Sequence, residues 1–144
     1  MTNISIPPSR EQINGGGLIT PSWGRWVNLI YSSVKDLLNY LKLKNGGNIG
    51  IVSGIVTITS SYHTIDTESL AATDNLDTIN GGIDGLRIVV RANNSARTVV
   101  LKNGTGNLVL PADLSLDNAT DTAEFIYDAS FSKWLMLSSS NNGA

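Results

Sequence analysis

Leu86-Arg87-Ile88-Val89-Val90-Arg91 is followed, after the turn residues Ala92-Asn93-Asn94-Ser95-Ala96, by Thr98-Val99-Val100-Leu101-Lys102, and these two runs decide the fold class. In the first run Leu86, Ile88 and Val90 share one face of an extended chain, and Arg87 and Arg91 share the other. Both runs are rich in β-branched residues, which suit a pleated, half-buried surface. Asn103-Gly104-Thr105-Gly106-Asn107 is a second turn, and Leu108-Val109-Leu110 ends at Pro111. Leu114 and Leu116 mark a short strand; Glu124–Tyr127 and Lys133–Leu137 form the last pair. Upstream, Ile49–Val52, Gly54–Ser60 and Tyr62–Ile65 have the same character. Strands recurring every few residues between turn signals imply an antiparallel β-sandwich or barrel over residues 48–144. Asp66–Asp77 is expected to be a loop with one helical turn at Glu68–Ala72, and the polar end, Ser138–Ala144, to fray.

Before these strands lies a helix. Thr20-Pro21-Ser22 supplies a cap and start signal, and Asn45-Gly46-Gly47 a stop, so the helix is placed over 21–45. Lys42 and Lys44 are expected near its negative pole. Trp23, Val27, Ile30, Val34, Leu37 and Leu41 are spaced by alternating fours and threes, the seam of a coiled coil. The flanking positions hold Trp26, Tyr31, Ser33, Leu38 and Tyr40, where a two-stranded coil places charges. Leu29 and Leu43 widen the stripe further. Such a helix is covered on more than one side: either three copies pack together, or the helix lies against a sheet. Ordering it costs more than its seam alone returns, so other contacts must contribute.

Residues 1–20 are an extended arm. Pro7-Pro8 and Gly15-Gly16-Gly17 interrupt regular structure, and Ile4, Ile6, Leu18 and Ile19 are too few for a core. Terminal segments of this kind order only when something ties them down.

Composition narrows the function. The chain has 144 residues, enough for one domain plus an arm. Charged residues make up 15%, against about 25% in ordinary domains, with 41% hydrophobic residues. Zero cysteines and a single histidine, His63, exclude disulfides and argue against a metal cage within one chain. A net charge of −2 disfavours nucleic-acid binding through a basic surface. No run is long and apolar enough for membrane insertion, and the first residues do not have the order of a secretory signal. Charge is uneven: residues 1–48 hold five basic and two acidic groups (+3), and residues 49–144 hold five basic and ten acidic groups (−5).

Chemistry is sparse. Asp66, Glu68, Asp74 and Asp77 do not follow the Ca²⁺-loop pattern, and Asn103–Asn107 lacks the Lys-Ser/Thr of a phosphate loop. No G-x-S-x-G elbow is present, and His63 has no obvious Ser or Cys nucleophile context. We expect no catalytic residues and no cofactor. Arg87, Arg91 and Arg97 are expected to pair with nearby acids.

One resemblance gives these features a context. Ile79-Asn80-Gly81-Gly82-Ile83-Asp84-Gly85-Leu86-Arg87-Ile88, then Arg97-Thr98-Val99-Val100, Gly106-Asn107-Leu108 and the Tyr127-Asp128-Ala129…Trp134 segment, resembles a module of tailed-bacteriophage fibre and spike proteins. The family's turn has glycine where this chain has Ala129, and is shorter. Ile6-Pro7-Pro8-Ser9-Arg10, with Gly17–Trp23 and Trp26, is similar to the start of short virion proteins of podovirus-type phages. The resemblance implies a virion-located, non-enzymatic homotrimer. Its helices would form a trimeric coiled coil, and its arm (Ile4, Ile6, Pro7, Pro8, Arg10) would hold it to other virion proteins of the capsid or tail. The expected roles are a head fibre ahead of a tail fibre, a receptor-binding tip touching host surface glycan through Tyr62 and Phe131, or an adaptor for a larger fibre.

Overall fold

The computed structural model describes residues 21–41 and 43–142. The arm and its candidate anchoring residues, Ile4, Ile6, Pro7, Pro8 and Arg10, lie outside the described residues, as do the side chains of Trp23 and Leu41. The chain is mainly β with a single helix, and divides into two units between Lys42 and Leu43.

The first unit contains the helix α1, Pro21–Leu41. Proline at its first position has no N–H for the helix to leave unpaired. It stops four residues earlier than the glycines suggest. Asn45-Gly46-Gly47 is not a helix stop but the start of a strand; Lys42 lies outside the described residues, and Lys44 falls in the second unit, past the end of the helix. Its N–H donates to Ser61 Oγ (2.7 Å) and its carbonyl accepts from Tyr62 N (3.1 Å).

The second unit is built of eleven strands. They are β1 (Asn45–Gly50), β2 (Ile55–Thr57), β3 (Tyr62–Asp66), β4 (Thr73–Leu76), β5 (Thr78–Asn80), β6 (Arg87–Ala92), β7 (Thr98–Leu101), β8 (Leu108–Val109), β9 (Leu114–Leu116), β10 (Thr122–Asp128) and β11 (Lys133–Ser140). They form a six-stranded sheet in the order β1-β3-β6-β10-β11-β8, a three-stranded sheet β4-β7-β9 and a pair β2-β5.

This arrangement corrects the expectation of an antiparallel sandwich or barrel. β1 with β3, β3 with β6, β2 with β5, β4 with β7 and β8 with β11 are all parallel. Tyr62 faces Val89, Ile55 faces Thr78 and Thr73 faces Thr98, so partners lie 27, 23 and 25 residues apart. β2, β3, β4 and β8 therefore each pair with a strand about one full coil later, and the unit is solenoid-like. In-out alternation is the same in a solenoid and in a hairpin. Turn residues do not separate the two either: Gly81 and Gly85 take positive φ at corners between faces, whereas Ser53 and Gly54 take it in a tight reversal across which Val52 and Ile55 exchange both backbone hydrogen bonds. Apart from that reversal, the chain turns back only late, where β9 pairs antiparallel with β7, and β10 with β6 and β11.

Two strands were missed and one tail misjudged. β4 falls where a loop was expected over Asp66–Asp77, because Thr-Asp-Asn-Leu carries a single apolar residue, and β5 lies just past that stretch; of the expected loop only its 3-10 turn, Glu68–Leu70, matches. β11 runs to Ser140, paired with Thr122, so Ser138–Ser140 of the expected tail are sheet.

Inward side chains stack coil upon coil. Ile88 faces Phe125, Val56 faces Ile79, and Leu76 faces Leu101, all fully or nearly fully buried. Asn107 ties two coils together: its Oδ1 accepts from Ile79 N (2.9 Å) and its Nδ2 donates to Ile79 O (2.8 Å), as a strand would. Asn107→Ala is expected to leave Ile79 N unpaired, while Ile79 O keeps its bond from Trp134 Nε1, and to lower stability by about 1–3 kcal/mol. Urea unfolding measures it; a change within experimental error would contradict the role given to Asn107.

Candidate functional site

The helix presents its seam outward. Val27, Val34 and Leu37 are 43%, 49% and 59% exposed, Tyr31 beside them is 67% exposed, and Ile30 is half-buried. Four described seam residues thus lie along one stripe of a 21-residue helix that has no acidic residue in its first turn and no basic one in its last.

Tyr62 and Phe131 are not brought together. Tyr62 is half-buried in β3, and its hydroxyl accepts from Arg91 Nε at 2.6 Å. Phe131 stands 68% exposed in the turn between β10 and β11. The row through Tyr62, Val89 and Glu124 lies four residues, about 13 Å, along β10 from Asp128, beyond which that turn begins. A second exposed side chain accompanies Phe131, one that sequence reasoning missed. Ile83, 69% exposed, sits on the neighbouring turn, which is held by Ala129 N donating to Asp84 Oδ1 (3.0 Å).

The residues that carry the resemblance converge, and their roles are structural. Trp134, fully buried, donates from Nε1 to Ile79 O (2.9 Å) and meets Tyr127 edge-on with ring centres 5.0 Å apart. Gly82 lies against the Tyr127 ring, and Gly106 against the Asp77 carbonyl; a side chain at either place would collide. The departures at Ala129 and beyond are accommodated by Ser132 at positive φ.

His63, fully buried in β3, has a packing role. Its Nε2 accepts from Thr59 N (3.2 Å) and Ser60 N (3.1 Å), which leaves Nδ1 to donate to Gly47 O (3.2 Å). Opposite it, β1 bulges between Asn45 and Asn48. Gly46 has no side chain where the imidazole lies, and Gly47 takes the left-handed conformation (φ 81°) that lets the bulge wrap the ring. The sequence signal was the glycine pair itself. Gly46→Ala is expected to push a methyl into the ring and cost about 1–3 kcal/mol in urea unfolding; unchanged stability would show the bulge to be loose.

The expected acidic cluster is used up in local bonds. Asp66 accepts from Arg97 Nε and Nη2 (both 2.7 Å), from Asn93 Nδ2 and from Thr67 N. Asp74 accepts from Glu68 N, and Glu68 from Ser53 N. Arg87 pairs with Glu124, Lys102 with Asp113, and Arg91 turns to Tyr62 and two backbone carbonyls. Among the described residues, no group of three or more His, Asp or Glu could hold a metal ion, and no helix is long and apolar enough to cross a membrane.

Two buried carboxyls make stability pH-dependent. The Arg97 hydrogen bonds hold Asp66 below its ordinary value against the opposing effect of burial, helped by Asn93 and Thr67. For Asp121, burial pushes upward, but the N–H groups of Asn142, Asn118 and Asp117 outweigh it and the net direction is also down. A carboxyl that releases its proton more readily folded than unfolded stabilises the fold above the unfolded value, near 4, and loses that contribution as pH falls through the lower folded value. The thermal midpoint is expected to be flat above about pH 5 and to fall steeply below about pH 4. Asp66→Asn should start lower and fall less; a curve parallel to the wild type would remove Asp66 from the account.

No family model matches the chain, and no curated protein matches it. Solved structures that match include a chain described as "Structure of a chaperone-substrate complex", 22% identical over 59% of this chain, with a TM-score of 0.42. This chain spans 14% of that one's length.

Proposed function

We propose that the chain is a non-enzymatic structural component of a phage virion: a short homotrimeric fibre, capsid-attached ahead of tail-attached, held through residues 1–20 and displaying the β unit. One observation carries the reading. A helix with Val27, Val34 and Leu37 exposed at coiled-coil spacing needs partners, and an apolar stripe this broad suits three strands better than two. The order of arm, helix and β unit in the sequence agrees with a fibre that is anchored at one end. The charge split supports anchoring, since a +3 N-terminal third suits an acidic virion surface.

The receptor-binding alternative gains from the tip. Phe131 and Ile83 stand out on adjoining turns, where an exposed aromatic face suits a sugar ring. No other reading finds a specific observation in its favour.

Light scattering on the full chain is expected to give about 46 kDa, three times 15.3 kDa. Ile30→Asp combined with Val34→Asp should bring the mass down threefold while far-ultraviolet circular dichroism retains the β signal. A wild-type particle of 15.3 kDa would end the proposal.

A further inference from the structure

The six-stranded sheet has an outer face as well as a core face, and part of that outer face is apolar. In β10 the side chains of Ala123 and Phe125 are buried, which turns Glu124 and Ile126 outward. Register carries the same face across neighbouring strands: Ile126 lies opposite Arg87 in β6 and Leu135 in β11, and Leu135 lies opposite Val109 in β8. Val89 belongs to the next row, between Tyr62 and Glu124. Leu137 is the extra residue of the β11 bulge, 49% exposed; Val109 is 42% exposed. Val89, Ile126 and Leu135, though half-buried, are not among the side chains packed on the core. Five aliphatic side chains therefore sit side by side on the outside of a sheet, where alternation ordinarily places polar residues.

We infer that this face is where the β unit meets a second copy of this chain. Charge selects that occupant. Residues 49–144 carry −5, so two copies repel over most of their surfaces. The outer face balances its charges: Arg87 and Glu124 pair with each other beside the aliphatic row. A strongly basic partner would find little to hold there, whereas a second β unit would meet a matching neutral, apolar surface. The inference rests on the trimeric reading only in supplying the copies, and it assigns them a contact separate from the helix seam.

The chain has no cysteine, so a single introduced thiol reports on this face alone. Full-length Val109→Cys, treated with a short bismaleimide in dilute solution, is expected to give covalently linked copies. Ser115→Cys, exposed on β9 of the other sheet, should give at least tenfold less. Adding Leu137→Glu to Val109→Cys should cut the yield by a similar factor while circular dichroism stays unchanged. Yields from Val109→Cys no higher than from Ser115→Cys would overturn the inference. If that happens in a 46 kDa particle, the trimer stands and this face falls. If Val109→Cys links in a two-copy particle, the face stands and the trimer falls. A 15.3 kDa particle without linking ends both.

Discussion

Pairing between successive coils is the constraint from which the β unit follows. Most strands have only two to six residues, too short to be stable alone or as isolated hairpins. β2, β3 and β4 are each held because a strand 23–27 residues further along the chain runs beside them in the same direction, and β1 is held in the same way by β3, 16–17 residues on. Those pairs set the register, and register sets which side chains enter the core. The corners then have to bend by a fixed amount within a few residues, which is why positive φ recurs at Gly81 and Gly85. Where backbone alone does not reach, side chains substitute for strands: Asn107 on Ile79, His63 on Thr59 and Ser60, and Asp121 on Asn118 and Asn142.

Much of this was legible from residues, and the gaps have physical causes. The alternation in Leu86–Arg91 and Thr98–Lys102 located β6 and β7 and the inward side chains correctly. Strand direction was not legible, because periodicity reports which face is buried and says nothing about whether the neighbour is the next strand or one a coil later. β1 was legible only at its end, Ile49-Gly50, because Asn-Gly-Gly-Asn has no apolar residue; the strand begins through a bulge around a distant histidine. That contact spans 16 residues, and its one local trace, the Gly46-Gly47 pair, reads equally as a helix stop. The seam in α1 was legible in spacing, and its exposure in the single chain is what the structure adds. The candidate glycan residues fared unevenly: Phe131 is outward at a turn, whereas Tyr62 serves Arg91.

The glycine-rich run from Ile79 to Ile88 shows how a recurring pattern can be structural without being chemical. Ile79 supplies carbonyl and amide to Asn107 and Trp134, Gly82 accepts the Tyr127 ring, and Gly81 bends against Ile58. A pattern of this type marks a way of closing a coil, and it is compatible with any function the outer surfaces carry.

The two ends of the solenoid are unlike. Beyond β10 the chain doubles back, so the last coil is finished by its own reversal. β1 has β3 on one side and no strand on the other among the described residues, with neither a charge nor a proline along its length. The opposite edge of the same sheet is β8, only two residues long, so the two edges offer unequal lengths of backbone. A grafted coil ahead of Asn45 would find a longer template of edge amides and carbonyls than one laid beside Val109.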